Sequence, residues 1–479
     1  MKTHPFTQLL TFSLMLIAAC SAGAPSGSGQ QEPEEEIQYT GQVETYRYYE
    51  GLRPSTRFTV SVNDEDQYVY PTSEQHLCAF ACDGTVKVVI DSPEADITSV
   101  VVRPKAKNPQ YRLKDGKIIL TMAPKDRYVV DINGEWRNAL LLFANAVDTD
   151  KPSPEDQNVR YFEAGKVHDA GIINPDSGKT VYFEGGALVN GRVFCDDKDH
   201  LTFAGGGMLN CTPEEEPAFR LNRCSYVTMK DFIVLNTSSY GIILRETDVV
   251  EADNVKSYGE ASKLTETGVE NDAFDLFGCR HVQIQHAFSY CHDDTYCIKT
   301  RKWAVNRSSE YIRYEDCIGW NIQGGNSFEI GWETGCDVSH VSYKDIYSVH
   351  TSEGTGTAYL NGGATIHQVD GGVISDISYE NVYLEEMFRY GLYFVVRENK
   401  APTVSIGTDA VWAPGVIRGV KMKNVHLGNM PPWGNCAKGL DNEHSVQVEI
   451  DGLYIAGKRV TSLSEANFTV GPYATVTLK

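Results

Sequence analysis

The six residues Val227–Phe232, VTMKDF, show the pattern on which the fold depends: apolar, polar, apolar, polar, Asp, apolar. The pattern returns seven times, each copy starting 23, 32, 30, 29, 36, 43 and 28 residues after the one before it, with Asp, Asn, His or Gly at its fifth position. The further copies are VEADNV (from Val250), VQIQHA (Val282), IRYEDC (Ile312), VSYKDI (Val341), ISYENV (Ile377), VKMKNV (Val420) and VEIDGL (Val448). Eight copies of one short pattern indicate an internal repeat and a stacked architecture.

Each copy predicts a strand, a one-residue bend and a second strand. The fifth position holds residue types that tolerate left-handed backbone or bond their own main chain at a bend. Such coils stack and bury their apolar positions in one core, which predicts a right-handed parallel β-helix. The segments YFEGGALVNGRV and LTFAGGGMLN fit earlier coils and take this solenoid back to about Val159. A β-propeller is the alternative, but the unequal spacing and the lack of a four-strand blade signature favour the solenoid.

The N-terminal part of the chain alternates apolar and polar residues in short runs such as RFTVSV, TVKVVI and KIILTM. Turn sequences such as NDED, SPEAD and LKDG separate these runs, and no stretch has helical periodicity. This predicts a β-sandwich over residues 37–148. The polar segment 149–158 is the expected linker, and residues 159–479 are the expected β-helix catalytic domain, so the whole fold is expected to be all-β.

The first residues of the chain resemble an export signal. The apolar run LLTFSLMLIAAC is too short to cross a bilayer as a stop-transfer helix, and its end resembles a bacterial lipobox. We therefore expect a lipoprotein signal peptide over residues 1–20, lipidation of Cys20, and a disordered tether over residues 21–36. An ordinary secretory signal is the alternative. The expected location is the bacterial cell envelope, with membrane contact only through the lipid anchor.

Charge and cysteine content exclude several classes of partner. The formal charge of -21 argues against nucleic acid, because no basic run could neutralise a phosphate backbone. It also disfavours a polyanionic substrate, although a local basic groove could override it. Of the 12 cysteines, the pair in CAFAC (Cys78 and Cys82) lacks CxxC spacing, so zinc is not expected there, and a local disulfide remains open. We expect no metal, no cofactor and a monomer.

Three carboxylates flank the third copy of the repeat. Asp272 and Asp293 lie 21 residues apart, about one coil, and Asp294 follows directly. A one-coil separation stacks residues on neighbouring strands about 5 Å apart. Like charges so placed push one pKa upward, which leaves an acid beside a base, as glycoside hydrolysis requires. Solvated turn residues and a calcium site are the alternatives, since calcium also takes oxygen ligands.

The segment ENDAFDLFGCRHVQIQHAFSYCHDDTYCIKT resembles the catalytic segment of β-helical glycoside hydrolases. Polygalacturonases (family 28) carry NTDGxD and then DDC about one coil later, and dextranase and isopullulanase (family 49) carry TDGIE and then NDDxxK. On this resemblance Asp272 matches the acid of the first motif, and Asp293 and Asp294 match the pair. Lys299 matches the family 49 lysine, one residue later. NDAFD in place of TDGIE is a departure, so fold and reaction type transfer better than substrate.

Other segments favour the dextranase-like family. The Gly-His-Gly and Arg-Ile-Lys motifs with which polygalacturonases bind the acidic sugar do not occur. The segment FEIGWETGCDVSHVSYKDIYSVHT resembles the family 49 xxGW segment and VIH element, which would place Gly331, Trp332 and His350 near the cleft. An N-terminal sandwich is likewise a feature of that family.

The resemblance also implies a mechanism: inversion by single displacement on an α-linked polysaccharide or oligosaccharide, plausibly a neutral α-glucan. Asp293 would be the general acid, and Asp272 and Asp294 would share the role of base. Aromatic rings supply platforms for sugars, with Trp303 and Trp320 as further candidates. The expected substrate-binding residues are Lys299, Trp332, Tyr296, His350 and Asp275.

Three other functions stay open at this stage. A polygalacturonase-like pectin hydrolase would use the same carboxylates, whereas a polysaccharide lyase would use calcium and a basic residue. A non-catalytic glycan-binding solenoid would bind sugars and cut none. An assay of reducing ends and ultraviolet-absorbing products on a polysaccharide panel separates these functions.

Overall fold

The structure, a computed structural model, describes most of the chain. The described ranges are 38–211, 217–237, 239–260, 271–300, 305–351, 361–398 and 414–479. The expected signal peptide, Cys20 and the tether lie outside the described residues, as does Trp303. Within the described ranges no helix has the length and apolar character needed to cross a membrane. The regular structure there is β-strand, apart from two short 3-10 helices, Lys105–Lys107 and Trp136–Asn138.

The N-terminal strands form the two sheets of the predicted sandwich. Its strands are β1 (Val43–Glu44), β2 (Thr59–Val62), β3 (Glu65–Gln67), β4 (Val69–Pro71), β5 (His76–Cys82), β6 (Val86–Asp91), β7 (Val100–Arg103), β8 (Tyr111–Lys114), β9 (Lys117–Met122), β10 (Arg127–Ile132) and β11 (Leu140–Ala146). One sheet has the order β1-β5-β11-β10-β7 with β4 also on β5, and the other has the order β3-β2-β6-β9-β8. Alternate residues of β6 and β9 are buried, as their period-two patterns predict.

All remaining strands form one 29-stranded sheet that winds into a parallel β-helix. They are β12 (Val159–Phe162), β13 (Val167–Ile173), β14 (Thr180–Phe183), β15 (Leu188–Asp196), β16 (Asp199–Ala204), β17 (Met208–Asn210), β18 (Phe219–Asn222), β19 (Ser225–Lys230), β20 (Ile233–Thr237), β21 (Ile242–Arg245), β22 (Asp248–Asp253), β23 (Lys256–Gly259), β24 (Phe274–Phe277), β25 (Arg280–Gln285), β26 (Phe288–Cys291), β27 (Tyr296–Lys299), β28 (Ser309–Glu315), β29 (Ile318–Asn321), β30 (Phe328–Ile330), β31 (Val338–Thr351), β32 (Gly362–Gln368), β33 (Val373–Met387), β34 (Tyr390–Val396), β35 (Val416–Leu427), β36 (Asn435–Lys438), β37 (Val446–Ile455), β38 (Lys458–Val460), β39 (Phe468–Val470) and β40 (Ala474–Leu478). The all-β prediction of a sandwich followed by a solenoid is confirmed, and the propeller is excluded because each coil pairs in parallel with the next.

The strand register reproduces the repeat of the sequence. The first residue of each copy pairs with the first residue of the next, beginning with Val227 on Val250 and ending with Val420 on Val448. These residues belong to one continuous apolar core. The hydrophobic repeat therefore sets the register of the coils, because a slip by one residue would turn every apolar side chain outward.

The fifth position of each copy is a left-handed bend, as predicted. Its φ angles are 69° at Asp231, 59° at Asn254, 51° at His286, 51° at Asp316, 51° at Asp345, 56° at Asn381, 56° at Asn424 and 78° at Gly452. A second left-handed bend, which the sequence pattern did not reveal, lies just before seven of the eight copies. It falls on Tyr226, Val249, His281, Tyr311, His340, Asp376 and Gly419, with φ between 53° and 66°. Tyr, Val or His occupies this second bend in five of these seven copies, so residue type gave little signal there.

From β16 to β30 each coil contributes three strands, one to each of three parallel faces. We call these the first face (β16, β19, β22, β25, β28), the second face (β17, β20, β23, β26, β29) and the third face (β18, β21, β24, β27, β30), which continues into β32, β34 and β36. The sandwich packs on the second face: the Phe143 and Phe288 rings lie 5.1 Å apart, and Lys256 Nζ donates to Asn145 Oδ1 at 2.6 Å. The third face carries the candidate site.

The described cysteines are free thiols, eleven in number. Cys78 and Cys82 lie on β5 and are buried in the sandwich core, where burial raises the pKa of the Cys78 thiol to about 12. The disulfide that the sequence left open does not form in this structure.

Candidate active site

The three acids meet at the turn between the second and third faces. Because Phe274 pairs with Tyr296, the residue that lies in register with Asp272 is Asp294, 22 positions further on. The Asp294 backbone N–H points at Asp272 Oδ1 over 3.4 Å. The expected stacking of Asp272 on Asp293 is therefore corrected by one residue, since a coil here is one residue longer than the sequence reasoning assumed.

Asp293 nevertheless belongs to the same cluster. One carboxylate oxygen from each of Asp272, Asp293 and Asp294 lies within 4.8 Å of the other two. Asp272 and Asp294 are buried, whereas Asp293 is partly exposed. Asp293 is therefore the member of the trio that a glycosidic oxygen could reach directly.

Lys299 supplies the positive charge of this site. Its ammonium lies 2.9 Å from Asp272 Oδ2, 3.3 Å from Asp275 Oδ1 and 3.9 Å from Asp294 Oδ2. A fourth carboxylate, Glu333, approaches it to 3.9 Å. Lys299 is itself 3% exposed, so it contacts the clustered carboxylates rather than lying open to a sugar. The expected roles of Lys299 and Asp275 as direct substrate contacts are thus replaced by a buried ion-pair network beneath the acids.

Sequence reasoning missed Glu329, which extends the cluster by one coil. Glu329 pairs in register with Cys297, and Cys297 pairs with Asp275, so the three share one outward-facing column of the third face. One carboxylate oxygen of Asp294 lies within 4.8 Å of one of Glu329, and Glu329 Oε1 lies 2.6 Å from His367 Nδ1. The signal that could have identified Glu329 is its position in this column, since it is an acid at the outward-facing position of a buried strand, one coil after Cys297.

The charges in the cluster shift one another's protonation. Burial raises the pKa of Asp275 well above its usual value, and the charge of Asp272 raises it further. Burial and the charge of Glu329 likewise raise the pKa of Asp294, and burial raises that of Glu329. For Lys299 burial alone would lower the pKa, but the carboxylates of Asp272 and Asp275 outweigh it, so its pKa is raised. The site thus places a charged ammonium beside carboxyl groups whose pKa values are raised.

Close packing around the cluster requires glycine at two positions. Gly325 has φ 71°, and a Cβ there would lie 2.3 Å from the carbonyl carbon of Asp293. Gly331 has φ 144°, and a Cβ there would lie 2.8 Å from His367 Cβ. Both backbones therefore approach the functional side chains more closely than any larger residue allows.

The sandwich reaches this turn as well. Glu74, in the loop before β5, accepts a hydrogen bond from Tyr290 Oη at 2.6 Å. Its two carboxylate oxygens also lie 3.0 and 3.1 Å from Nε2 of His292, the residue next to Asp293. The sandwich thus helps to fix the turn that carries Asp293.

Two expected cleft residues are buried structural residues instead. Tyr296 is fully buried, its ring stacks between Phe274 and Phe328 at 5.2 and 5.4 Å, and its hydroxyl donates to Ile318 O at 2.9 Å. The expectation that Tyr296 is a sugar platform is therefore wrong, because alternation along β27 turns it into the core.

His350 is also fully buried, and its ring lies 4.7 Å from that of Trp136 and 5.3 Å from that of Trp320. It lies under the sandwich and not in a cleft, so its expected substrate-binding role is wrong. Burial lowers the pKa of His350 to about 3. Trp320 is buried at the same interface. The sequence did not show which face the sandwich covers.

Trp332 does lie beside the cluster. It follows β30, is half-buried, and its ring stacks on that of His367 at 5.0 Å and 16°. The guanidinium carbon of Arg397 lies 3.8 Å from the centroid of the indole ring. The structure therefore places Trp332 one coil beyond the carboxylates, with two protein groups against it.

Two sets of side chains in the described residues could surround a cation. One is Asp272, Asp293 and Asp294, and the other is Asp294, Cys297 and Glu329, each with ligand atoms within 4.8 Å of one another. The Lys299 ammonium already lies among these oxygens and supplies a positive charge there.

The fold of the chain is similar to solved structures of β-helical glycoside hydrolases. Dex49A from Penicillium minioluteum, a dextranase, matches 93% of this chain and 97% of its own with a TM-score of 0.55 and 14% identity. A family 28 exopolygalacturonase from Yersinia enterocolitica matches 83% and 96% with a TM-score of 0.46 and 10% identity. The catalytic domain of a GH87 α-1,3-glucanase matches 92% and 88% with a TM-score of 0.38 and 11% identity.

No family model matches the sequence, and no curated protein matches it. At 14% identity the similarity to Dex49A shows the fold. The resemblance to β-helical glycoside hydrolases is thereby confirmed for the architecture, and the chemistry rests on the side chains described above.

Proposed function

We propose that this protein is a glycoside hydrolase that cleaves an α-linked polysaccharide or oligosaccharide by inversion. The observation that carries the proposal is the cluster of Asp272, Asp293 and Asp294, with one oxygen of each within 4.8 Å of the others on the third face of the β-helix. Glycoside hydrolysis needs an acid for the leaving oxygen and a carboxylate for water, and this cluster contains both.

Asp293 acts as the general acid in this proposal. It is partly exposed, whereas its two partners are buried, so the leaving-group oxygen can reach it. A proton held there passes to the glycosidic oxygen as the bond to the sugar breaks.

Asp272 and Asp294 hold and activate the attacking water. Lys299, 2.9 Å from Asp272, favours the ionised form of that carboxylate, which a base needs. Asp294 accepts two hydrogen bonds from Asn326, from the backbone N–H at 2.7 Å and from Nδ2 at 3.0 Å, and these fix its Oδ1.

Two observations favour opposite stereochemical outcomes for the reaction, inversion and retention. Inverting pairs of carboxyl groups stand roughly 6.5–9.5 Å apart and retaining pairs about 5 Å. The oxygens here, within 4.8 Å, are nearer the second range. We propose inversion because three acids are present, so two can bind water while the third protonates the leaving group. NMR of the first-formed product decides: the β-anomer from an α-linked substrate supports inversion, and the α-anomer makes one Asp a nucleophile.

The lyase alternative is disfavoured by Lys299. A lyase base must give up its own proton before it removes one from the sugar. The carboxylates around Lys299 raise its pKa and hold it as an ammonium. A lysine in that state cannot serve as the base.

The experiment that tests the proposal is a product assay on a panel of α-linked polysaccharides, neutral and acidic. We expect new reducing ends without ultraviolet-absorbing unsaturated ends. Unsaturated products would indicate a lyase, and binding without any product would indicate a glycan-binding solenoid. Attachment to the cell envelope through Cys20 is a further part of the proposal, and loss of membrane association in Cys20→Ser tests it.

A further inference from the structure

The charge of the third face changes from one end to the other. Beside β24, β27 and β30 lie the carboxylates of the candidate active site, whereas β32, β34 and β36 themselves contain no Asp or Glu, and the acids that follow β32 and β34 are Asp370 and Glu398. The core residues of these last strands alternate with outward-facing ones. The outward-facing residues are Thr365, His367, Tyr393, Val395, Cys436 and Lys438. Thr365, His367, Tyr393 and Val395 are buried, whereas Cys436 is partly exposed and Lys438 is exposed, so the accessible charge at this end of the face is positive.

Arg397 lies where the two regions meet. It directly follows β34, and its guanidinium reaches back to the Trp332 ring, 3.8 Å from the centroid. Trp332 stacks on His367, and His367 contacts Glu329 of the acidic cluster at 2.6 Å. Since β30 and β27 are neighbouring strands, Trp332 is about one coil, roughly 4.8 Å along the axis, from the level of Asp294, and it lies six positions beyond Asn326, the residue in register with Asp294.

Among the described residues the guanidinium of Arg397 has no carboxylate partner. The buried Arg103, by contrast, pairs with Asp131 at 2.8 Å. Burial lowers the pKa of Arg397, and no carboxylate offsets this effect. A half-buried cation without a partner is costly for the folded protein, and a bound anion would remove that cost.

The donors of Arg397 are available, because its guanidinium forms no hydrogen bond with the described residues and contacts Trp332 through the ring. A guanidinium carries five N–H donors in one plane. A carboxylate or sulfate can accept two parallel hydrogen bonds from such a group, which a hydroxyl cannot. The net charge of -21 repels anions in general, so a local cation is what an acidic sugar would need at this site.

We propose that Arg397 and Trp332 form an anion subsite, one coil from the catalytic carboxylates, for a sugar that carries a carboxylate or sulfate group. The inference rests on the proposed hydrolase function and narrows its substrate class from any α-linked glycan to one with an acidic substituent. The acidic group lies on the β32–β36 side, away from the carboxylates that would repel it.

Binding to an inert protein tests the subsite without hydrolysis. In Asp293→Asn, calorimetric titration compares short α-linked galacturonate oligosaccharides with their carboxyl-reduced forms, and short isomalto-oligosaccharides with their sulfated forms. We expect the acidic member of one pair to bind roughly 10–100-fold more tightly than its neutral counterpart. The pair that shows the preference identifies the acidic group.

Substitution of Arg397 should then remove the preference. We expect Asp293→Asn/Arg397→Gln to bind acidic and neutral members equally, and Asp293→Asn/Arg397→Lys to keep part of the preference, since lysine retains the charge without the fork. Should the Gln variant fail to fold, raising sodium chloride must erode the preference in Asp293→Asn itself. Three results would each overturn the subsite. They are equal binding of acidic and neutral oligosaccharides in both pairs, a preference for the acidic member that persists without Arg397, and a preference for the acidic member that does not change with salt.

These outcomes separate the subsite from the proposed reaction. A preference for acidic sugars in a protein that produces no reducing ends from any glycan retains the subsite and rejects the hydrolase. Hydrolysis with equal binding of acidic and neutral oligosaccharides retains the hydrolase and rejects the subsite.

Discussion

The Lys299 ammonium lies 2.9 Å from one carboxylate oxygen of Asp272, and both side chains are buried. The same ammonium lies 3.3 Å from Asp275 and within 3.9 Å of two further acids. A single lysine thus serves several carboxylates that burial would otherwise drive to their neutral forms. The protonation state of the candidate base depends on this contact.

Lys299→Met should therefore change the pH profile and not only the rate. Without its nearest cation, the ionised form of Asp272 becomes less favourable, so the acidic limb of the kcat/KM profile should move up by roughly one pH unit or more. The measurement is kcat/KM against pH for the wild type and the variant. Lys299→Arg, which retains the charge, is the control and should move the limb less. If the rate falls but the acidic limb of the kcat/KM profile stays at the same pH, Lys299 only supports the fold.

The sequence carried most of the fold because one apolar repeat sets the register of every coil. Val227, Val250 and Val282 pair in the structure as their repeat positions require. The one-coil spacing likewise predicted that the acids lie together, but the residue in register with Asp272 is Asp294 and not Asp293. That error arose because a coil is measured by strand register, and the turns between strands vary in length.

The remaining site features depend on contacts that no local pattern encodes. His350 and Trp320 were expected near a cleft, but the sandwich covers their face of the helix. Glu329 joins the cluster through register with Cys297, which only the paired strands reveal. Arg397, which follows β34, contacts Trp332 although it lies 65 positions later in the chain, and no periodicity links the two residues.

Tyr296 should behave as a core residue. Tyr296→Phe removes a buried hydroxyl that donates to Ile318 O, so we expect the free energy of unfolding to fall by about 1 kcal/mol with KM unchanged. Tyr296→Leu, which also removes a ring stacked between Phe274 and Phe328, should cost more. Chemical denaturation and steady-state kinetics provide the two measurements. A raised KM in Tyr296→Leu at unchanged stability would restore the sugar-platform interpretation.

Chelators should leave activity unchanged. The carboxylates of Asp272 and Asp294 already have the Lys299 ammonium between them, so the reaction needs no calcium to balance their charge. Activity measured after EDTA treatment, and again after calcium is restored, checks this. A large loss that calcium reverses would favour the lyase or a calcium-dependent hydrolase.

Because of Lys256, the stability of the folded protein should change with pH in the alkaline range. It is buried between the sandwich and the helix, and burial lowers its pKa from 10.5 to about 7. Between these values the unfolded chain binds a proton that the folded protein does not, so stability rises with pH from about 7 towards 10.5. Below pH 7 both states are protonated, and the full penalty for burying the charge is present.

The comparison that isolates this effect is with Lys256→Met. The difference in melting temperature, wild type minus variant, should increase as pH rises from about 7 to 9.5, because only the wild type is relieved of the buried charge. Lys125→Met is a matched control, since this lysine pairs with Asp253 at the surface of the same region. A difference that stays constant with pH would show that Lys256 does not titrate in this range.

Asp293→Asn should separate the acid from the base. The variant cannot protonate a leaving oxygen, so hydrolysis of a natural glycan should fall roughly 10²–10⁴-fold. An aryl glycoside with an acidic phenol needs no protonation, and its bond cleavage should fall far less. Asp272→Asn, which removes the proposed base, should slow both substrates alike. Initial rates on the two substrate types decide, with thermal unfolding as the control for an intact fold. Equal losses for Asp293→Asn on both substrates would transfer the acid role to Asp294, whose pKa burial raises.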